Sequence, residues 1–253
     1  MLKLYHCMGS RSFRVLWTLE EAQVPYELIV LPFPPRAMHK GYHAINPLGT
    51  VPAFFDEGRK MTESAAICQY VADRYAPQTL AVAVDDPDYG AYLNFMHMGE
   101  ATLTFPQTIF FRYSVLEPPE KRNPIVADDY RLWFASRLKN AATFFEGKPY
   151  VCGDRFTAAD ISIGYALGFA THLGLAGHFP PAIVDYWKRL KTREGFQSAR
   201  EREIEISRRQ GLEVLEVNYQ PSPRASSSLL SALFKTRDDK KQRARFVGAP
   251  HRS

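Results

Sequence analysis

Alternating apolar and polar side chains predict strands only near the start of the chain. Residues Leu2–His6 alternate between the two kinds, and Tyr26–Leu31 are rich in Leu, Ile and Val, so both segments are predicted strands. Between them, the apolar residues of Ser12–Ala22 recur at helical spacing, and Pro25 follows the end of that pattern. The chain therefore opens with a strand, a helix and a second strand.

Two more strands and another helix follow. The segments Ala53–Phe55 and Lys60–Thr62 flank a turn-forming stretch, which predicts a hairpin. Glu63–Tyr75 is predicted as a helix with one apolar face, and residues 36–44 as a short, poorly formed helix. The resulting order, βαβαββα, predicts a thioredoxin-like domain over residues 1–78.

Beyond a linker between Pro77 and Pro87, the strand patterns stop. Helical periodicity predicts helices at Asp88–Tyr113, Ile125–Phe145, Ala158–Leu173 and Ala182–Arg209. This change predicts an α/β domain followed by an all-α domain, the second covering residues 88–209. Thr157 and Asp160 have the spacing of a capping box, so we expect them to begin the third of these helices.

The charge distribution separates the last segment from the rest. Residues 220–253 carry 8 Lys and Arg against 2 Asp and Glu, whereas residues 1–219 carry 24 against 25. The nearly neutral body argues against a nucleic-acid surface. Residues 210–253 are predicted to be a disordered basic tail. The alternative is a short amphipathic helix on an anionic membrane, formed by Leu229, Leu230, Leu233 and Phe234.

Other features of the composition favour a cytoplasmic protein. The chain has no apolar run of the length that spans a membrane, and Met1–His6 lack the pattern of a signal peptide. Cys7, Cys68 and Cys152 are widely spaced, which argues against both a disulfide framework and a redox-active Cys-x-x-Cys pair.

The most specific motif is Asn46-Pro47-Leu48-Gly49-Thr50-Val51-Pro52, followed by Thr62-Glu63-Ser64-Ala65-Ala66-Ile67. The start of a helix at Ser64 presents unpaired N–H groups that can bind a carboxylate, and Glu63 beside it can bind an ammonium. Together they suit the zwitterionic end of an amino acid. The backbone at Val51 is placed to pair with the edge of a peptide.

These motifs resemble the glutathione-binding half of glutathione S-transferases, and the resemblance extends over residues 1–208. It implies that Pro52 follows a cis peptide bond, that Val51 pairs with the cysteinyl part of glutathione, and that Glu63 and Ser64 hold its γ-glutamyl end. It also implies glutathione as co-substrate, no metal, and a homodimer. The implied activity is transfer of the glutathione thiolate to a small, largely apolar electrophile.

Such an enzyme must stabilise the thiolate. Lowering a thiol pKa from about 8.5 by ~2 units requires roughly 2.7 kcal/mol of preferential stabilisation of the anion. Family members with a catalytic serine resemble Gly-Ser-x-x-x-Arg at the first turn, which selects Ser10, between Gly9 and Arg14. Ser12 is an alternative, although at a helix start it is expected to be an N-cap. Cys7 is another, and would imply mixed-disulfide chemistry.

The rest of the site is less defined. Many family members carry Lys or His just before the Val-Pro step, where this chain has Gly49 and Thr50. The candidate cations for the glycyl carboxylate are therefore Arg36, His39, Lys40 and His43. His39 and His43 are spaced i, i+4, but no third ligand is evident, so no metal site is predicted. The candidate walls of an electrophile pocket are Phe105, Phe110, Phe111 and Tyr113.

Two alternative functions remain at this point. One is a glutathione-dependent disulfide reductase or peroxidase on the same fold. The other is a non-catalytic binding module, which the missing cation beside Val51 favours and the Gly9-Ser10 turn opposes.

Overall fold

A four-stranded mixed sheet forms the first part of the protein in the computed structural model, which describes residues 1–212. Its strands are β1 Leu2–His6, β2 Tyr26–Val30, β3 Ala53–Asp56 and β4 Arg59–Met61, arranged in the order β2-β1-β3-β4. β2 pairs with β1 in parallel, whereas β3 is antiparallel to both β1 and β4. This arrangement, with the helices around it, confirms the predicted thioredoxin-like fold.

Helix α1 lies at the centre of the molecule. The helices of the first part are α1 Ser12–Ala22, α2 Pro35–Met38, α3 Tyr42–Ile45 and α4 Ser64–Tyr75. Every residue of α1 from Ser12 to Leu19 is buried, because α1 packs against α4 on one side and against two later helices, α8 and α10, on the other. Trp17 fills the contact with α8 at Gly164, where an added Cβ would lie 2.7 Å from the indole ring.

The second part of the chain is helical, as predicted. Its helices are α5 Tyr89–His97, α6 Phe105–Phe111, α7 Pro124–Ala141, α8 Ala158–His172, α9 Pro181–Lys191 and α10 Glu194–Arg209. π-Helical segments continue α5 through Met98–Thr104 and α6 through Arg112–Leu116, and wider turns of this kind are frequent at functional sites.

The prediction of one continuous helix at Ala182–Arg209 is wrong, because two non-helical residues separate α9 from α10. The backbone of Arg193 is extended there, with φ −70° and ψ 138°. Its guanidinium donates to both carboxylate oxygens of Glu21, at 2.8 and 2.7 Å, and its Cζ atom lies 3.6 Å from the ring centroid of Phe156. These contacts with α1 and with the segment before α8 hold Arg193 outside the helical geometry that its neighbours favour.

The predicted capping box begins α8. The Asp160 carboxylate accepts from the Thr157 N–H at 2.8 Å, and it also accepts from the N–H of Val151 and from the Tyr186 hydroxyl, at 2.9 and 2.8 Å. Asp160 is fully buried. The box therefore joins the preceding loop and α9 to the start of α8.

The described residues fall within one compact unit, so the predicted division into domains at residues 1–78 and 88–209 stays a prediction. Residues 213–253, which make up nearly all of the predicted basic tail, lie outside the described residues. The alternative amphipathic helix at Leu229–Phe234 lies outside them as well. No helix among residues 1–212 has the length and apolar character needed to cross a membrane.

Candidate active site

One cavity of about 620 Å³ brings together the predicted thiolate-stabilising serine and the residues predicted to bind glutathione. It opens between the β1–α1 turn, the loop before β3, the start of α4 and the helices of the second part. The predicted residues in its wall are Ser10, Val51, Pro52, Glu63 and Ser64.

Asn46 organises the turn that leads into the cavity. Its side-chain amide donates to the carbonyl of Thr50 at 2.7 Å, and its Oδ1 atom accepts from the N–H of Leu48 at 3.1 Å. The Val51-Pro52 peptide bond that follows is cis, as the resemblance implies. Within residues 1–212, neither the N–H nor the carbonyl of Val51 takes part in a hydrogen bond, so this edge is free to pair with an extended peptide.

The start of α4 provides the complementary charges for an amino-acid end group. Glu63 is exposed and immediately precedes the helix, and its side chain does not cap the helix. Ser64 opens the helix and is buried, and its hydroxyl accepts from Arg14 at 3.2 Å. The first N–H groups of a helix lack intrahelical acceptors and carry the positive end of its dipole. A carboxylate at Ser64 and an ammonium at Glu63 would both be satisfied.

A buried ion pair supports this corner of the cavity. Arg14 is fully buried, and its Nη1 lies 2.5 Å from Oε2 of Glu100. Its Nη2 donates to the carbonyl of Gly99 at 3.1 Å, a group in the π-helical segment after α5. Burial acts to raise the pKa of Glu100, but Arg14 and Arg11 outweigh it and lower that pKa. In the sequence, Arg14 served only to locate Ser10, and Glu100 belonged to no recognisable motif.

The two candidate hydroxyls occupy different environments. The Ser10 hydroxyl lies in the cavity wall, where it donates to the Cys7 carbonyl at 2.8 Å and lies 2.7 Å from the Ser12 hydroxyl. Ser12 is fully buried behind it, and the expectation that Ser12 is the N-cap of α1 is wrong. Arg11 occupies the cap position, because the Ser12 hydroxyl instead accepts from the N–H of Cys7 at 3.3 Å and contacts His6.

Cys7 is placed as a core residue. Its side chain is fully buried, with Sγ 3.7 Å from the carbonyl oxygen of Pro32. Burial raises the pKa of the Cys7 thiol to about 12. A thiol that stays protonated near neutral pH is a poor nucleophile, so the geometry argues against mixed-disulfide chemistry at this position.

Arg36 occupies the space beside Gly49. Gly49 has φ +65°, and a Cβ atom added there would lie 2.9 Å from Cβ of Arg36 and 2.8 Å from Cε1 of His43. A side chain at position 49 is therefore excluded, and the Arg36 side chain of α2 lies against this glycine instead. Of the four candidate cations, Arg36 belongs to the cavity wall, whereas the other three lie outside it in the described structure.

Only part of the apolar wall was predicted. Phe111 lines the cavity, but Phe110 is fully buried in the core and Phe105 packs against Tyr130 with ring centroids 6.4 Å apart. Tyr113 also lies outside the wall. Further apolar wall residues, which carried no signal in the sequence, are Phe33, Leu48, Leu116, Tyr165 and Phe169. Helix packing decides which side of each helix faces the cavity.

Among residues 1–212, no cluster of three or more His, Cys, Asp or Glu side chains is arranged to hold a metal ion. In particular, His43 directs its Nδ1 atom at the Pro47 carbonyl oxygen, 3.2 Å away, and the His39 ring packs edge-on against Tyr42.

Comparison with known proteins identifies similar sequences and folds. A family model described as "Glutathione S-transferase, N-terminal domain" matches residues 4–79. The chain is 38% identical over 171 residues to glutathione S-transferase hmp2 of Hypomyces subiculosus, covering 64% of this chain and 78% of that protein. It is 28% identical over 203 residues to glutathione S-transferase 3 of Schizosaccharomyces pombe, covering 75% and 82% of the two chains.

A similar solved structure is that of BphK, a bacterial glutathione S-transferase, in a ternary complex. It superposes with a TM-score of 0.70 at 28% identity, covering 79% of this chain and 98% of BphK. The likeness therefore extends across both the mixed sheet and the helical part.

Proposed function

Because this chain belongs to the glutathione S-transferase family, we propose that it transfers the thiolate of glutathione to a small, largely apolar electrophile. The observation that carries the proposal is the single cavity that unites Ser10, the free edge at Val51 and the start of α4. One wall of this cavity is polar and the other is apolar.

Glutathione fits the polar wall by its chemistry. The α-carboxylate of the γ-glutamyl group would lie at Ser64 and the first N–H groups of α4, and its ammonium at Glu63. The unpaired N–H and carbonyl of Val51 would bind the cysteinyl part in strand fashion. Arg36, which lies over Gly49, would bind the glycyl carboxylate and so replace the Lys or His that many relatives carry.

Ser10 would then stabilise the thiolate. Its hydroxyl oxygen is in the cavity wall at the β1–α1 turn, and rotation about its side chain would turn the O–H from the Cys7 carbonyl toward a bound sulfur. A hydrogen bond to an anion is stronger than one between neutral groups, so this exchange favours the thiolate over the thiol. The electrophile would contact Phe111, Leu116 and Phe169 on the opposite, apolar side.

The structure offers less support for the two alternatives. Each of the three cysteines is buried, which is unfavourable for a disulfide reductase that would use its own thiolate. The non-catalytic module was favoured by the absence of a cation beside Val51, and Arg36, in the cavity wall on α2, would supply that cation. The homodimer and the cytoplasmic location stay predictions, which light scattering and cell fractionation would test.

The first experiment is a pH titration of the ultraviolet thiolate absorbance of glutathione bound to the full chain. We expect the bound thiol to ionise well below its free pKa. Ser10→Ala should remove about half of a ~2-unit shift and slow conjugation of 1-chloro-2,4-dinitrobenzene about tenfold, since one charge-assisted hydrogen bond of about 1.5 kcal/mol is lost.

Ser114→Ala is a matched control, because its hydroxyl donates to the Phe110 carbonyl at 2.7 Å and lies outside the cavity wall. An unchanged rate in Ser10→Ala would remove Ser10 from the mechanism. No saturable binding at millimolar glutathione would refute the proposed function as a whole.

A further inference from the structure

A chain of hydrogen bonds runs from Ser10 into the interior of the protein. The Ser10 and Ser12 hydroxyl oxygens lie 2.7 Å apart, and Ser12 Oγ lies 2.8 Å from Nδ1 of His6. Nε2 of His6 lies 3.1 Å from Oε2 of Glu203, a residue of α10. The side chains of His6, Ser12 and Glu203 are fully buried, so they satisfy one another rather than water.

The number of hydrogens needed along this chain allows the state of the imidazole ring to be assigned. The contacts are Glu203 to His6, His6 to Ser12, Ser12 to Ser10, and Ser10 to the Cys7 carbonyl. If none of the four shares its hydrogen with another, each contains one hydrogen of its own. The two serines supply one hydrogen each, and the carbonyl supplies none. The other two must come from His6 or from the carboxyl of Glu203.

Glu203 is an acceptor. Its Oε2 atom accepts a second hydrogen bond, from the N–H of Gly9 at 3.2 Å, and its Oε1 atom pairs with Arg200. Burial acts to raise the pKa of Glu203, but His6, Arg200 and the Gly9 N–H outweigh it and lower that pKa. With one hydrogen in each of the four contacts, both remaining hydrogens are assigned to the two ring nitrogens of His6.

The protonation of His6 sets the direction of the whole chain. When Nδ1 carries a hydrogen, it donates to the Ser12 oxygen, so the Ser12 O–H donates to Ser10. The Ser10 O–H can then donate to the Cys7 carbonyl or to a group in the cavity. When Nδ1 is bare, the Ser12 O–H turns to the ring. The Ser10 O–H is then drawn toward Ser12 and away from the cavity.

We propose that His6, kept doubly protonated by Glu203, is a positioning residue that acts through Ser12 to keep the Ser10 O–H available to the bound thiolate. The inference rests on the proposed role of Ser10. By this route a carboxylate on α10 influences a turn at the other end of the chain.

Glu203→Gln tests the proposal, because it removes the negative charge and keeps the shape. His6 then loses its buried counterion and a proton, and the chain reverses. We expect the pKa of the bound glutathione thiol to rise by about one unit, the size of one hydrogen bond to an anion. The value of kcat should fall about tenfold with little change in KM for glutathione, since the bond acts on the thiolate.

A second substitution that restores the thiol pKa distinguishes a positioning role of His6 and Glu203 from a purely structural role. Adding Ser12→Ala to Glu203→Gln removes the group that draws the Ser10 O–H inward, so the thiol pKa should return most of the way toward the wild-type value. The matched control adds Ser207→Ala instead, one turn along α10, where the buried hydroxyl has no hydrogen-bond partner among residues 1–212. That pair should retain the full Glu203→Gln effect.

A purely structural role for Glu203 would make the Ser12→Ala combination at least as impaired as Glu203→Gln alone, which would overturn the proposal. A second measurement uses the wild-type full chain, so it does not depend on whether a Glu203 variant folds. It records the ¹⁵N chemical shifts of the His6 ring at neutral pH. Two protonated ring nitrogens are expected, and a neutral tautomer would overturn the proposal.

Failure of the proposed function has a different signature. In that case Ser10→Ala leaves the thiol pKa unchanged, whatever the state of His6. If Ser10→Ala raises the thiol pKa and Glu203→Gln does not, the proposed function stands and the positioning role of His6 is refuted.

Discussion

Replacing Arg14 with Met should be among the most damaging single changes near the cavity. Arg14 is fully buried and donates to Glu100, Thr104 and Gly99 at 2.5, 2.7 and 3.1 Å. Methionine fills much of the same volume, so the main loss is the charge and its hydrogen bonds rather than packing. The variant leaves the carboxylate of Glu100 without its buried partner.

The size of the loss follows from the burial of the two partners. Breaking a buried ion pair by removing one partner costs about 3–5 kcal/mol, because the other charge is left uncompensated. The Glu100 side chain is 30% exposed and also pairs with Arg11 at 2.7 Å, so water and Arg11 offset part of that cost. We therefore expect Arg14→Met to lower the free energy of unfolding by about 3 kcal/mol.

The assay is urea unfolding at neutral pH and fixed protein concentration, because self-association would make apparent stability depend on concentration. The double variant Arg14→Met/Glu100→Gln removes both charges, so its loss should be smaller than the sum of the two single losses. Arg112→Met is the matched control: its Nε lies 2.7 Å from Glu117, but the Arg112 side chain is 57% exposed, so we expect a loss below about 1 kcal/mol.

Two results would refute this reasoning. A loss in Arg14→Met no larger than that in Arg112→Met would mean that burial does not strengthen the pair. Additive losses in the double variant would mean that Arg14 and Glu100 act independently of each other.

Further predictions concern the glycyl cation, the turn before the Val-Pro step and the capping box. Arg36→Ala should raise KM for glutathione about fivefold with little change in kcat, whereas Arg36→Lys should keep most of the affinity; an unchanged KM in steady-state kinetics would exclude this cation. Asn46→Ala removes the bonds to Leu48 and Thr50, so the urea midpoint should fall by an amount corresponding to about 2 kcal/mol, and glutathione should bind more weakly by calorimetry. Burial raises the pKa of Asp160 from 3.8 to about 6 against the donors that lower it. The folded chain then binds that proton more tightly than the unfolded chain, so the free energy of unfolding should fall by up to about 3 kcal/mol as the pH rises from about 4 to about 6. Urea unfolding measures this dependence, and Asp160→Asn should lack it.

The polar half of the cavity was predictable because its residues are close together in the sequence. Val51, Pro52, Glu63 and Ser64 lie on one turn, one hairpin and one helix start, where local backbone geometry decides what each group presents. The same holds for the capping box at Thr157, which is complete within four residues. Ser10 was selected over Ser12 on its spacing from Arg14 and on the expectation, now shown wrong, that Ser12 caps α1. The structure nevertheless places Ser10 in the cavity wall and Ser12 behind it.

The failed predictions share a different cause. The continuous helix at Ala182–Arg209 is broken by the contacts of Arg193 with Glu21 and Phe156, which are remote in the sequence. The aromatic residues of α6 share one helical pattern, yet Phe111 faces the cavity and Phe110 the core. Periodicity identifies an apolar helix face, but not which neighbour covers it.

The sequence by itself determined the fold class, the elements of the mixed sheet and the turn that leaves the backbone of Val51 unpaired, because these depend on interactions within short segments. Only the tertiary structure decided which cation stands beside Gly49, which apolar side chains line the cavity, and how Glu203 reaches His6 across 197 positions of the chain. A contact between residues so far apart in the sequence forms only when whole helices pack together. The packing of each helix depends in turn on all the surfaces that it buries.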